Sequence, residues 1–168
     1  MSHITEKLEK VKDDRGTMAN LRCSLVESKK HRAWPSLYRI GIDVDDEVGA
    51  FVAGLFAMDP DDTVAAGTRV CFGGTCKTLE RRRGESVGDE AKLTPTEKRF
   101  QAILVSEKGS ELHTRVLRLA RMAQREGIAL DFDELEYDLR NWNDQIRNKW
   151  ASAFWSHAAA GELEEEAS

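Results

Sequence analysis

Apolar residues recur along most of the chain at intervals of three and four, the spacing that gives a helix one buried face. The clearest run is "EVGAFVAGLFAM". Val48, Phe51, Val52, Leu55 and Phe56 keep that spacing, Asp45 or Asp46 is placed to cap the first turn, and Pro60 ends the run. Upstream, "DDRGTMANLRCSL" opens on aspartates suited to an N-cap and then sets Met18, Leu21 and Leu25 on one face. In "RAWPSLYRI", Pro35 stands where a first helical turn tolerates it, ahead of Leu37, Tyr38 and Ile40.

The second half repeats the pattern with sharper punctuation. "LTPTEKRFQAIL" carries Thr94 at an N-cap, Pro95 at the first helical position and Glu97 three residues after the threonine, which together predict a capping box. Phe100, Ile103 and Leu104 then face inward. "EKGS" breaks this helix and Ser110 is placed to cap the next, which Gly127 stops, with Ile128 packing back as in a Schellman ending. Asp131 and Glu134 start a further helical pattern, "DFDELEYDLRNWNDQIRNKWASAFW". There Leu135, Leu139, Trp142, Ile146 and Ala153 form one stripe, with Trp150 on its border.

No segment alternates with the period of two that strands need, so the expected class is all-α. The length suits one domain over about residues 1–160, either a compact helical bundle or two small helical lobes joined by an irregular connection. The N-terminal helices are expected over about residues 13–70, the connection over 71–93 and the C-terminal helices over 94–158. An acidic tail, residues 161–168, follows. The connection holds a Gly-Gly turn, the basic triplet Arg81 to Arg83 and more glycines, and reads as a helix fragment plus a mobile link; the triplet is expected in a solvated loop.

Charge changes the picture more than composition does. Net charge is −5, yet the charges are segregated. Asp43 to Asp62 contains seven acids and no lysine or arginine, whereas Lys98 to Arg125 contains seven bases against Glu107 and Glu111 alone. Within the latter, "RVLRLARMAQR" places Arg115, Arg118, Arg121 and Arg125 on about a third of a helix circumference. Val116, Leu119, Ala120 and Ala123 take the opposite side, and Leu117 and Met122 the flanks. Glu111 is spaced to pair with Arg115, while the other three arginines have no acid three or four residues away. The helix therefore offers one face to a core and leaves a basic face open to a polyanion.

Catalytic and metal chemistry find little support. Cys23, Cys71 and Cys76 are an odd number without framework spacing, as in a reducing cytoplasm. Zinc needs about four close ligands, and His3, His31, His113 and His157 are scattered, so no metal or other cofactor is expected. "FGGTCK" has only a superficial likeness to a phosphate-binding loop. The acids of "LDFDELEYDL" follow from helix-start preference, and no nucleophile–histidine–acid set can be picked out. No catalytic residue and no enzyme are expected. Trp142 belongs to the core stripe; for Trp34, Trp150 and Trp155 packing is expected ahead of stacking on nucleobases. "MSHITEKLEKVKDD" lacks a signal peptide's apolar stretch and "VGAFVAGLFAM" is too short to span a bilayer, so a cytoplasmic protein without a membrane partner is expected.

Five segments taken in order, "MANLRCSL", "RAWPSLYRI", "EKRFQAIL", "VLRLARMA" and "LDFDELEYDLRNWNDQIRNKWASAFW", resemble the CasB family. This is the small subunit of the type I-E CRISPR surveillance complex called Cascade, and the resemblance runs from about Asp13 to Trp155. It implies an all-helical, non-catalytic subunit that binds guide RNA and target DNA. It also implies contacts with the backbone and large subunits of Cascade and with a second copy of itself. Its basic surface would stabilise the guide–target hybrid and the displaced strand as an R-loop. Matched motif by motif, the resemblance points to Arg22, Arg99, Arg118, Arg121 and Arg147 as nucleic-acid-binding residues, followed by Arg115, Arg125 and Arg140. Many relatives carry a second arginine after the one matching Arg22, where this chain has Cys23; the triplet Arg81 to Arg83 is a candidate to compensate. The competing reading is a helical protein–protein adaptor whose basic face grips an acidic partner.

Overall fold

The computed structural model describes residues 3–65, 67–83 and 92–156. Among them every regular element is helical: α1 (Ile4–Glu9), α2 (Arg15–Arg22), α3 (Trp34–Arg39), α4 (Glu47–Met58), α5 (Phe72–Arg83), α6 (Pro95–Leu104), α7 (Ser110–Arg125), α8 (Phe132–Arg140) and α9 (Asp144–Trp155). Short 3-10 turns at Cys23–Leu25 and Lys30–Ala33 lie between α2 and α3. The all-α expectation holds. The acidic tail and residues 84–91 of the expected connection lie outside the described residues.

The chain divides into two compact units. The first takes residues up to Thr68 and adds Asp131–Arg140. Its centre is α4, whose residues from Val48 to Ala57 are buried with the exception of Ala50, so the helix is apolar nearly all round and needs neighbours on several sides. Asp46 caps it by accepting a hydrogen bond from the Gly49 amide at 2.9 Å. Helices α1, α2 and α8 pack against it. A Cβ at Gly54 would lie 2.5 Å from Ser24 Oγ, and that hydroxyl lies 2.7 Å from the Ala50 carbonyl oxygen. Phe56 meets Phe132 edge to face at 5.5 Å. Helix α1 is absent from the periodicity reading because two residues, Ile4 and Leu8, make up its whole buried stripe.

The second unit comprises Arg69–Leu130 and the chain from Asn141 onward. Here α5 and α9 approach closely at Gly73, where a Cβ would sit 2.1 Å from the Trp150 carbonyl oxygen. The glycines of "FGGTCK" thus lie in a helix, and the first of them makes room for another backbone. The helix fragment expected in the connection is α5, about three turns long, and Arg81 to Arg83 form its last turn instead of a loop. Trp150 is fully buried, 5.3 Å from Phe72 and 4.9 Å from Trp142 between ring centroids. Phe100 and Phe154 stack at 4.5 Å.

One continuous stripe from Leu135 to Ala153 was the expectation; two helices are found. Asn143 has extended backbone and accepts from the Ile146 amide at 3.0 Å, capping α9 and ending the α8 register. The buried positions of α9 are therefore Ile146, Trp150 and Phe154, with Trp150 central and Ala153 half-buried. Packing is found for Trp155, whose ring lies edge to face 5.3 Å from Phe100 and 4.8 Å from Phe154 and whose indole N–H donates to Glu97 at 3.2 Å, though 40% of the residue stays exposed; Trp34 remains 42% exposed.

Candidate nucleic-acid interface

Helix α7 is positioned by sharp ends and a deep apolar face. Its N-cap is Gly109, with φ at +141°, one residue before the expected Ser110. Gly127, at φ +71°, ends it: the Ile128 amide donates to the Ala123 carbonyl at 2.9 Å and the Gly127 amide to Gln124 at 3.0 Å, the double bond of a Schellman motif. Leu112, Val116, Leu119, Ala120 and Ala123 are buried. That fixes the rotation of the helix, and the four arginines follow on its other side.

Those arginines are not equivalent. Arg118 and Arg125 are exposed, and no ion pair or hydrogen bond holds either guanidinium among the described residues. Arg121, between them, is half-buried and has an interaction of its own. Arg115 is tied down. It pairs with Glu111 at 2.6 Å and donates to the Ala102 carbonyl at 2.9 Å and to Ser106 Oγ at 2.7 Å, fastening α7 to α6. Arg99 comes from α6 to the flank of α7, its Nη1 3.9 Å from Met122 Sδ, a contact that leaves the charge uncompensated. Arg82 reaches the same helix at its end, donating to the Glu126 carbonyl.

Arg147 is a structural fastener. Its guanidinium lies 5.4 Å from the Trp142 ring centre and donates to Asp144 at 2.9 Å and to the Ser106 carbonyl at 3.0 Å. The Trp142 indole N–H donates to that same carbonyl at 2.9 Å. Both side chains fix the start of α9 to the turn after α6.

In the first unit, Arg22 is exposed on α2 and donates to the Ala57 carbonyl at 3.2 Å, at the negative end of α4. Arg140 is clasped by a bidentate pair with Asp46, at 2.9 and 2.7 Å, and by Glu136 at 3.0 Å. Partial burial works against the Asp46 carboxylate, but the Arg140 and Gly49 donors outweigh it and hold its pKa below the usual value. The Asp46 carboxylate in turn raises the pKa of Arg140. A further basic stretch, Lys29, Lys30, Arg32 and Arg39, is exposed on this unit. The sequence signal for it was available: no acid occurs from Ser28 to Ile42.

No group of three His, Cys, Asp or Glu side chains converges as a metal site among the described residues. Burial raises the Cys76 thiol pKa well above its ordinary value, and Cys71 adds to the shift. No helix among the described residues is long and apolar enough to cross a membrane.

Residues 17–155 match the family described as CRISPR-associated protein Cse2, CRISPR_cse2. The chain belongs to the Cse2 (CasB) family. Membership makes it a subunit of a CRISPR Cascade complex, and the family is one of structural subunits. The crystal structure of M. ruber CasB is similar, with a TM-score of 0.65 over 95% of this chain and 97% of that one at 22% identity, a likeness of fold. No curated protein matches significantly. The ordered motifs that point to CasB, from "MANLRCSL" to α9, all fall within the matched region.

Proposed function

We propose that this Cse2 chain is the nucleic-acid-binding small subunit of a type I-E Cascade, without catalytic activity of its own. It holds the guide–target hybrid and the displaced strand as an R-loop and bridges the backbone subunits, the large subunit and a second copy of itself. The observation that carries this reading is the pair Arg118 and Arg125, exposed on α7 and without ion pairs among the described residues, in a chain of net charge −5. An exposed arginine left unpaired in an acidic protein contributes little to its own fold and keeps its charge for a polyanion.

Arg99, whose charge is uncompensated, supports the pair; Arg22 and Arg121, each with a contact of its own, follow as further phosphate contacts, and Arg115, Arg140 and Arg147, each held by an ion pair and further hydrogen bonds, act chiefly in folding. Guide pairing supplies sequence specificity in such complexes, so the subunit needs phosphate contacts and no base readout. A few arginines give weak, salt-sensitive binding, which captures a strand only after the complex has unwound it.

The test is an assembled complex carrying Arg118→Glu and Arg125→Glu. Assembly should be unaffected, while permanganate reactivity of displaced-strand thymines falls. Unchanged reactivity in a fully assembled complex contradicts the proposal and favours the adaptor reading.

A further inference from the structure

The surface around α3 has no role in the reading above. Ser36 and Leu37 bury the inner face of this helix, and Trp34 and Tyr38 stand four residues apart on its outer face. Tyr38 is 81% exposed and Trp34 42%. Neither the phenol nor the indole N–H has a hydrogen-bond partner among the described residues. His31 meets the Trp34 ring edge to face at 6.4 Å and steadies it. The Tyr38 ring, almost wholly in water, adds little to the stability of this unit, while Trp34 is more than half covered and keeps one part of its ring open.

Charge identifies the class of partner. Lys30 is paired with Glu27 at 2.8 Å, but Lys29, Arg32 and Arg39 are exposed and in no ion pair among the described residues. Arg39 is near enough to Asp14 to lower its carboxyl pKa slightly, behind the larger effect of the Thr17 amide. Exposed rings flanked along the chain by cations without ion pairs among the described residues match a strand with unstacked bases, whose π-faces take the rings and whose phosphates take the cations. A double helix offers no free base faces, and an apolar protein partner would gain nothing from the cations.

We infer that Trp34 and Tyr38 form a stacking site for unpaired bases of a single nucleic-acid strand, with Arg32 and Arg39 on its phosphates. The inference rests on the reading that this chain meets nucleic acid. It adds a second mode of contact, through bases, to the phosphate contacts assigned to α7.

The experiment compares the full chain binding two fluorescent oligonucleotides at low salt: oligo-dT of about twenty residues and an abasic strand of equal length. Tyr38→Ala should weaken oligo-dT binding roughly five- to tenfold and leave the abasic strand unaffected, and Tyr38→Phe, which keeps the ring, should bind like the parent. Arg118→Ala with Arg125→Ala should weaken both strands alike. Should Tyr38→Ala bind oligo-dT normally, or lose both strands equally, the stacking site is overturned while the α7 contacts stand. Should the parent chain bind neither strand, both readings fall and the surface belongs to a protein neighbour. At 81% exposure, Tyr38 can be removed without unfolding the unit, and circular dichroism of each variant checks this.

Discussion

Replacing Arg140 by alanine separates a folding arginine from a binding one. The side chain joins the first turn of α4 to α8 through its two bonds to Asp46 and one to Glu136. The side-chain exposures are 41% for Arg140, 24% for Asp46 and 23% for Glu136, so the clasp is partly solvated. Exposed pairs contribute about 0.2–1 kcal/mol, and bidentate geometry on a poorly exposed partner moves the Asp46 pair to the upper end. The pair within α8 adds about 0.3–0.5 kcal/mol. After allowance for screening, Arg140→Ala should cost about 1 kcal/mol, which lowers Tm by roughly 2–4 °C in a chain of this size.

Asp46→Asn removes the ion pair but keeps an N-cap acceptor; Asp46→Ala loses both, adding about 1 kcal/mol for the cap. The folded Asp46 pKa is depressed, so its stabilisation is complete above the unfolded value of about 3.9 and is lost as pH falls through the folded value. Thermal melts of the parent and Arg140→Ala should therefore differ at pH 7 and converge in acid below that range. Oligonucleotide affinity should be unchanged. An unchanged Tm with an affinity loss like that of Arg118→Ala would refute the reasoning and make Arg140 a phosphate contact.

Two further substitutions or modifications probe the second unit. Gly73→Ala should destabilise it by about 2–3 kcal/mol, read by urea denaturation, because the added Cβ meets the Trp150 backbone and no flexible side chain can yield. Iodoacetamide at pH 8 should label the half-buried Cys23 and Cys71 in the native chain and spare Cys76 until denaturant is added; mass spectrometry distinguishes the sites.

The features legible in the sequence were those set by neighbours along the chain. The Thr94–Glu97 capping box, the Gly127 Schellman ending and the buried stripes of α4 and α7 each depend on residues within one or two turns. Glu111 was readable as the partner of Arg115 for the same reason. Partners distant in sequence were not. Nothing local to Arg140 points to Asp46, 94 positions earlier, and nothing near Arg147 points to the Ser106 carbonyl. Tertiary contacts also reassigned Gly73 from loop to helix packing through Trp150. The break between α8 and α9 was hidden because apolar spacing runs on through Trp142, while the Asn143 cap competes with helix through its own side chain. The rings of Trp34 and Tyr38 fit an amphipathic pattern, and only the three-dimensional packing reveals that Ser36 and Leu37 take the inward side and leave the rings outside.

The central claim is that the open guanidinium groups of α7 meet phosphate. Its most direct test is the affinity of the full chain for single-stranded DNA, measured against salt concentration for the parent and for Arg118→Ala with Arg125→Ala. Each phosphate contact on a single strand contributes about 0.7 to the slope of log affinity against log salt, so the double variant should show weaker binding and a slope shallower by about 1.4. An identical slope and affinity in a correctly folded variant would contradict the account.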